Sequence, residues 1–461
     1  MCGCDILGPS ARMGGHAGPY GVSRAGRALF SLVFLLCCLG RRATGQATSD
    51  SKLSIEDRVF TASKVYSLLQ SYFSSGTGTS DLSLDGAYKI YLRTVLATDD
   101  RRQFDLATIE FVAQLHNGHT FFWDAWLDKN NQQPLGFYAS PLDSKWIVQT
   151  SFLGNLKPGD IIASIDKTPT ESFFQQQQRY IAASSTVAQR HNLFLSPYLF
   201  PEQFTLTLED GRKVSVDRTS AKEPETKTEG RWLKPGQTAY VRIPSFFFPV
   251  LEDGALNYVN QFRNAKVLVI DVRNNPGGLA PLRLLKALMD RPYRGWKEST
   301  PLRVGLFESL QRSTQTEESG KGVPDYFKGY TEALGALGNA RLMLGGETVP
   351  PSMPIFHGRL ILLIDGGCIS ACEDFVQPFK DNGRATLVGE TTQGSAGVPA
   401  SYDFHNGMSL RVAVKREYFP DGSEFEGVGI KPDVEVHPSI DNLRVGKDVS
   451  LEKAVELAGR P

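Results

Sequence analysis

A serine at a corner between a predicted strand and a predicted helix is the first residue whose surroundings could support chemistry. Residues 360–364 are apolar, Asp365, Gly366 and Gly367 follow them, and Ser370 then opens a segment with helical spacing. A hydroxyl at such a corner lies beside the unpaired N–H groups of a helix start, which can hold a developing oxyanion. The position is that of a nucleophile elbow, although the Gly-x-Ser-x-Gly pattern is absent.

The same serine could have a purely structural role. Glu373 stands three residues after Ser370. A serine and a glutamate at this spacing form a capping box, which is common at helix starts that have no part in catalysis. The rest of the chain must decide between the two roles.

A second glycine-ended strand is predicted earlier in the chain. Residues 266–272 form an apolar run, and Gly277 and Gly278 follow it. If both strand ends lie at one edge of a sheet, the N–H of Gly277 or Gly278 and the N–H of Ala371 could form a two-donor oxyanion hole. The diglycine could also make only a tight turn. A P-loop is unsupported, because no Lys-Ser or Lys-Thr pair follows.

A histidine in a predicted turn is the candidate general base. His119 lies between Gly118 and Thr120 and precedes an aromatic run that is typical of a strand. Neutral imidazole titrates near working pH and can take the proton of a serine hydroxyl. The structural alternative is a solvated turn residue, since loops carry many such polar side chains.

Composition excludes some classes of protein. The 461 residues include 50 Lys plus Arg and 50 Asp plus Glu, so the net charge is zero and no basic run suggests a nucleic-acid partner. No metal-ligand spacing is present, and no cofactor is predicted. The length accommodates two to four domains.

The N-terminus predicts export. Arginines precede the apolar run 28–40, and small residues at 43–45 suit a cleavage site, so residues 1–45 are interpreted as a signal peptide. An uncleaved membrane anchor is the alternative. The expected location is periplasmic or extracellular. Beyond this segment only Cys368 and Cys372 remain. This pair could form one local bridge or two small core residues.

Five regions are expected along the chain, and together they predict an α/β protein. The mature chain should start with a helical cap over 46–125, with helices near 57–73, 85–97 and 105–115. A β-rich module over 126–220 with a hairpin at 204–216 follows. Alternating buried strands and helices then predict a largely parallel sheet. The last two regions are an α/β domain over 237–440, after the charged linker 221–236, and a C-terminal helix over 441–461.

The β-rich module resembles a PDZ domain. Residues 156–162 read Leu-Lys-Pro-Gly-Asp-Ile-Ile, a string typical of that family, and residues 134–137 resemble its carboxylate-binding loop. The resemblance implies that Leu135, Gly136 and Phe137 hold the C-terminus of a peptide while the peptide adds a strand. A PDZ-like spacer that binds nothing is the alternative.

The ordered motifs together resemble the carboxyl-terminal-processing and tricorn-core serine peptidases. The motifs are the helical cap, the PDZ-like module, Asp-Val-Arg-Asn-Asn-Pro-Gly-Gly at 271–278, Ser-Ala-Cys-Glu at 370–373, and the segments 387–392 and 418–434. The resemblance implies a ClpP/crotonase-like catalytic domain. It also implies that Ser370 is the nucleophile and that Ala371 and the diglycine are the oxyanion donors.

The base distinguishes two branches of this family. The processing branch uses a Ser–Lys dyad, but Ser395 stands where the lysine is expected, and no lysine lies between residues 381 and 408. Lys380 and Lys415 do not fit the pattern. The tricorn branch takes its base from the cap, where Gly118-His119-Thr120 matches.

The resemblance also implies a carboxylate, from the C-terminal region, that orients the base. Glu426 is the first choice for that group and Glu424 the second. A solvated turn residue is the structural alternative for Glu426.

The expected function is that of a serine endopeptidase that hydrolyses exported or misfolded proteins through an acyl-enzyme. Its partners would be protein or peptide substrates, with a possible homo-oligomer. One alternative is a non-catalytic protein on the same fold that binds a hydrophobic ligand or a peptide, since fold does not determine function. Another is a scaffold led by its PDZ-like module, with an inactive catalytic domain.

Overall fold

The computed structural model describes residues 51–74, 83–131, 133–221, 226–301 and 341–460. The predicted signal peptide, 1–45, lies outside the described residues. So does most of the polar segment 305–353, for which the sequence predicts a surface insertion or lid. Within the described ranges, no helix has both the length and the apolar character needed to cross a membrane.

The described part of the chain begins with the helices that the periodicity predicts. Their starts are capped by the side chains of Ser54, Ser83 and Asp100, each of which accepts a backbone N–H of the first turn. The short strand β1 and helix α4 follow. The bounds are α1 (Ile55–Tyr72), α2 (Leu84–Leu96), α3 (Arg101–Ala113), β1 (Phe121–Asp124) and α4 (Ala125–Asn131).

A strand-rich module follows the helices, and its core is separate from theirs. Strands β2 and β3 form a hairpin, and a second sheet has the order β5-β4-β6-β7. The predicted hairpin turn at Asp210 and Gly211 joins β6 to β7. The bounds are β2 (Phe137–Leu142), β3 (Lys145–Ser151), β4 (Ile162–Ile165), β5 (Thr168–Pro169), α5 (Thr170–Gln177), α6 (Thr186–Asn192), β6 (Gln203–Leu208) and β7 (Lys213–Asp217).

A six-stranded sheet forms the centre of the remaining chain. Its order is β20-β16-β15-β10-β9-β8, and all neighbours are parallel except β8 and β9. Strand β10 is buried at every position because helices cover both faces. The bounds are β8 (Glu229–Lys234), β9 (Thr238–Arg242), α7 (Pro249–Gln261), β10 (Val267–Asp271), α8 (Leu282–Leu288), β15 (Arg359–Ile364), α9 (Ala371–Asn382), β16 (Ala385–Gly389) and β20 (Val434–Glu435).

Smaller sheets lie beside this centre. The orders are β1-β18-β17, β13-β12-β19 and β11-β14. The chain ends in two helices, of which the second confirms the predicted terminal helix. The bounds are β11 (Tyr293–Arg294), β12 (Lys297–Pro301), β13 (Arg341–Gly345), β14 (Thr348–Val349), β17 (Pro399–Asp403), β18 (Met408–Ala413), β19 (Arg416–Tyr418), α10 (Ile440–Arg444) and α11 (Val449–Ala458).

Strand β18 joins the N-terminal helices to the rest of the protein. It pairs antiparallel with β1, and its apolar side chains share one core with helices α1, α2 and α3. The buried ion pair between Arg101 and Asp124, 2.6 Å long, fixes the start of α3 against the end of β1. The turn just before β1, which carries His119, is thereby held against the C-terminal part of the chain.

Candidate active site

Ser370 stands at the corner between strand β15 and helix α9. Its backbone has φ 59° and ψ −123°, a left-handed conformation that a non-glycine residue adopts at a cost of about 1–3 kcal/mol. Such a sharp turn directs the side chain away from the strand and helix, as in a nucleophile elbow. The nucleophile-elbow geometry that the sequence predicts is therefore present.

Glu373 holds this corner in place. Its fully buried carboxylate accepts four hydrogen bonds, from the Thr392 hydroxyl at 2.5 Å and from the N–H groups of Gly394 at 2.8 Å, Ser395 at 2.9 Å and Ser370 at 3.3 Å. Burial raises the pKa of Glu373 to about 7, and the hydrogen bonds limit the rise. The predicted capping glutamate thus joins the corner to the loop after β16.

His119 lies between two serine hydroxyls. Its Nε2 is 3.0 Å from Ser370 Oγ, and its Nδ1 is 3.0 Å from Ser395 Oγ. The turn that carries it is fixed by Thr120, whose Oγ1 accepts the N–H of Ala413 on β18. His119 is 7% exposed and Ser370 9% exposed. A serine and a histidine that are 251 residues apart in sequence therefore form a nearly enclosed pair.

The surroundings of His119 favour the neutral ring. Burial, together with the positive charges of Arg411 and Lys415, lowers the pKa of His119 to about 4. Neutral imidazole has a lone pair at one ring nitrogen. At neutral pH His119 can therefore accept the proton of Ser370.

The two glycine-ended strands meet as predicted. Strand β10 pairs in parallel with β15, and the loops that follow them are joined by hydrogen bonds from Asn274 N–H to Asp365 Oδ1, 2.7 Å, and from Ile369 N–H to the Asn275 carbonyl, 3.1 Å. A Cβ at Gly277 would come within 2.6 Å of the Ile369 carbonyl oxygen. Only glycine lets the first loop approach the Ser370 corner this closely.

The predicted oxyanion donors differ in availability. The Ala371 N–H, at the first position of α9, has no hydrogen-bond acceptor among the described residues. The Gly277 N–H donates to Asn275 Oδ1 at 2.9 Å. Gly278 packs against Phe246 and pairs with it in a parallel bridge. Ala371 therefore offers a ready donor, whereas Gly277 must first release Asn275.

Glu426 is near the site but does not contact His119 through a hydrogen bond within the described ranges. Its Oε1 accepts the N–H of Glu417 at 3.2 Å. Burial raises the pKa of Glu426 to about 8, and the charge of Glu417 adds to the effect. This pKa favours the neutral form at pH 7, and the role of Glu426 as the orienting carboxylate stays a prediction. Glu424 is an exposed partner of Arg416, 2.7 Å away.

Neither lysine occupies the position of a base. Lys415 is buried and forms ion pairs with Glu298 at 2.5 Å and Glu417 at 2.9 Å. The Lys415 amine thus faces two carboxyl groups, and an ammonium paired in this way has no lone pair to accept a proton. Lys380 pairs with Asp433 at the surface.

The two remaining cysteines are joined. Cys368 and Cys372 form a disulfide whose sulfur atoms lie on either side of Ser370 along the chain, and both residues are fully buried. Of the two possibilities that the sequence leaves open, the structure has the local bridge. The bond ties the turn before Ser370 to the first turn of α9.

Sequence reasoning missed two contributions to the site. Ser395 was identified only as the position where a lysine is absent, yet it is the partner of His119 Nδ1. Glu373 was identified as a helix cap, yet it also holds the loop of Ser395. A serine in a Gly-rich loop after a buried strand was the available signal, and it does not reveal which histidine atom it faces.

A comparison with known families agrees with the motifs. Residues 237–436 match the sequence model described as Peptidase family S41. This range contains Ser370, Glu373 and Ser395, and it excludes the turn of His119. This part of the chain is therefore similar to that serine peptidase family.

Curated relatives share part of the chain. A carboxyl-terminal-processing peptidase 3, chloroplastic, of Arabidopsis thaliana is 29% identical over 219 residues, which are 47% of this chain and 34% of the relative. A carboxyl-terminal-processing protease of Synechocystis is 26% identical over 310 residues, 66% of this chain and 61% of the relative. This chain thus spans about a third of the first relative and about three fifths of the second.

The fold extends beyond the matched family range. The crystal structure of mature CPAF is similar with a TM-score of 0.64 and 17% identity, and the match covers 87% of this chain and 96% of that one. At this identity the likeness concerns the fold alone. It confirms the predicted mixed α/β architecture with N-terminal helices.

Proposed function

We propose that this chain is a serine endopeptidase in which Ser370 is the nucleophile and His119 the general base. The observation that carries the proposal is the 3.0 Å contact between Ser370 Oγ and His119 Nε2 at a strained corner. A serine hydroxyl is a poor nucleophile until a base accepts its proton. The neutral, buried ring of His119 can do so.

The reaction follows from these positions. Ser370 Oγ forms a bond to the carbonyl carbon of the peptide while its proton moves to His119 Nε2. The carbonyl electron pair moves onto the oxygen, which the N–H of Ala371 stabilises, and one such donor contributes about 3 kcal/mol. The C–N bond then breaks as Nε2 gives its proton to the leaving nitrogen. Water repeats the sequence on the acyl-enzyme and restores Ser370.

The strand-rich module is proposed to engage the C-terminus of a substrate, as the PDZ resemblance implies. Gly136 has φ +76°, whereas Leu135 and Phe137 bury their side chains in the core of the module. Gly136 is buried as well, and its carbonyl accepts the Phe152 N–H at 2.8 Å, so peptide binding would require this loop to open. Binding of a peptide with a free carboxyl terminus, compared with its amidated form, tests this part in the Ser370→Ala protein.

A test of the proposal uses a fluorophosphonate probe and unfolded casein. The wild-type protein should be labelled at Ser370 and should cleave casein, and Ser370→Ala should abolish both activities. Ser352→Ala is the matched control, because Ser352 is half-buried and, among the described residues, its hydroxyl donates to the Lys286 carbonyl and to no group of the site. Cleavage that survives in Ser370→Ala would overturn the assignment.

A non-catalytic binding protein is the rival function. It predicts no labelling of Ser370 and saturable binding of a hydrophobic ligand to the wild-type chain. Export and a homo-oligomeric state stay predictions from the sequence.

A further inference from the structure

We infer that Ser395 is the positioning residue of His119 and that its neutral hydroxyl serves where serine peptidases commonly use a carboxylate. The inference rests on the proposed function of Ser370 and His119. Its basis is the contact of 3.0 Å between Ser395 Oγ and His119 Nδ1, in a site where Ser395 is 2% exposed. No other hydrogen bond to Nδ1 is formed by the residues that the structure describes.

The tautomer of the ring makes this contact consequential. To accept the proton of Ser370, His119 Nε2 must present its lone pair, and the ring hydrogen must then be on Nδ1. In this tautomer Nδ1–H donates to Ser395 Oγ, which accepts it while its own hydrogen points away from the ring. When Nε2 takes the proton, the imidazolium keeps the same bond at Nδ1. Ser395 therefore holds the ring orientation that faces Ser370 and can accept the Nδ1 hydrogen of the reactive tautomer.

Ser395 is itself fixed against the nucleophile. Its carbonyl accepts the N–H of Ser370 at 2.8 Å, and its own N–H donates to Glu373 Oε2 at 2.9 Å. The carbonyl of the preceding residue, Gly394, accepts the N–H of Gly427 at 2.7 Å. The two hydroxyls that flank the imidazole therefore belong to segments that are bonded to each other.

Gly118 leaves the space that the contact requires. A Cβ at this position would come within 2.6 Å of Ser395 Oγ, so a larger residue would displace the hydroxyl or the turn of His119. The Gly118 N–H donates to Ser184 Oγ at 3.2 Å, which holds the turn from the other side. The absence of a side chain at Gly118 is thus required for the contact between Ser395 and His119.

A hydroxyl and a carboxylate at Nδ1 have different consequences. A carboxylate raises the pKa of its histidine, whereas a neutral hydroxyl leaves burial, Arg411 and Lys415 to lower it. The pKa of about 4 for His119 agrees with a neutral partner. The acid limb of the labelling rate should therefore lie near pH 4 in the wild-type chain, because the base must be unprotonated.

The test measures the rate of Ser370 labelling by a fluorophosphonate probe between pH 3.5 and 8. This range is wide enough to detect an acid limb that moves by about one pH unit. Ser395→Ala should lower the rate at pH 7 roughly 10- to 100-fold, as expected for one lost bond to a charged ring. Ser395→Thr keeps the hydroxyl and should restore most of the rate. Ser395→Asp should move the acid limb to higher pH.

The outcomes separate the positioning role from the proposed function. If the wild-type chain is labelled at Ser370 but Ser395→Ala and Ser395→Asp keep its rate and pH profile, the positioning role is overturned and the function stands. If the wild-type chain is not labelled, the function itself fails. Should Ser395→Ala not fold, Ser395→Asp decides alone: an unmoved acid limb contradicts the inference. Ser352→Ala, with unchanged rate and profile, controls for a serine removed elsewhere.

Discussion

Ser370 belongs to one continuous stretch, residues 359–382, which supplies its strand, its turn and its helix, whereas His119 is held by parts of the chain that are far apart in sequence. The ring contacts Ser395, and its turn bonds to Ser184 and to Ala413 on β18. The Ser370 corner is therefore a local structure. The histidine site instead depends on the packing of three distant segments, those of Ser184, Ser395 and Ala413. A local defect should disturb the Ser370 corner, and a packing defect should disturb the position of His119.

Replacement of His119 should have the largest effect on labelling and casein cleavage. His119→Ala removes the base but leaves the Ser370 corner unchanged, so labelling and casein cleavage should fall by about 10⁴-fold or more. The unfolding midpoint in urea should change little by comparison, because the corner has its own hydrogen bonds.

Lys415→Arg is the matched control for the choice of base. Arginine keeps the positive charge between Glu298 and Glu417 and cannot act as a base. Activity should survive this change if His119 is the base. A protein that is inactive as Lys415→Arg and active as His119→Ala would reverse the assignment.

Glu373→Gln should destabilise both the Ser370 corner and the loop of Ser395, since the Glu373 side chain joins the two. An amide nitrogen would face backbone N–H groups that now have an acceptor, leaving one or two buried donors unpaired. The free energy of unfolding should fall by about 2–4 kcal/mol, measured by urea denaturation. The activity of the folded fraction should fall as well.

Glu424→Gln provides the comparison for this change. Glu424 pairs with Arg416 at the surface, so its replacement should cost less than about 1 kcal/mol. Equal losses of unfolding free energy in Glu373→Gln and Glu424→Gln would show that Glu373 does not join the Ser370 corner to the loop of Ser395.

Glu426→Gln should have the smallest effect. Burial raises the pKa of Glu426 to about 8, so at pH 7 the side chain is already neutral and a glutamine resembles it. The labelling rate should stay within about threefold of wild type, well below the 10⁴-fold loss that follows removal of a triad carboxylate. A loss of that larger size would restore Glu426 as the orienting group and remove Ser395 from the role.

The comparison also explains which parts of the site the sequence predicts. The corner at Ser370 is visible in the apolar run, the glycines and the helical spacing, because each of these signals is local. The meeting of β10 and β15 follows from the rule that neighbouring parallel strands end at one edge. His119 was found from a motif resemblance, since no local pattern predicts a contact across 251 residues.

The orienting group could not be predicted in this way. Motif position favours Glu426, but burial raises the pKa of that carboxyl group to about 8, and its oxygen accepts the Glu417 N–H. Our inference gives the role to Ser395, because the loop after β16 is tied to Glu373 and because Gly118 has no side chain. Both reasons concern packing in three dimensions, which spacing along the chain does not encode.

The redox state of Cys368 and Cys372, at the Ser370 corner, reflects the conditions under which the chain folded. Both sulfur atoms end in the core, out of reach of solvent. Oxidation must therefore precede or accompany the packing of helix α9. A copy that folds in reducing surroundings encloses two thiols, and a copy that folds in oxidising surroundings encloses a bond. The two copies differ by the S–S bond and two hydrogens, on either side of Ser370.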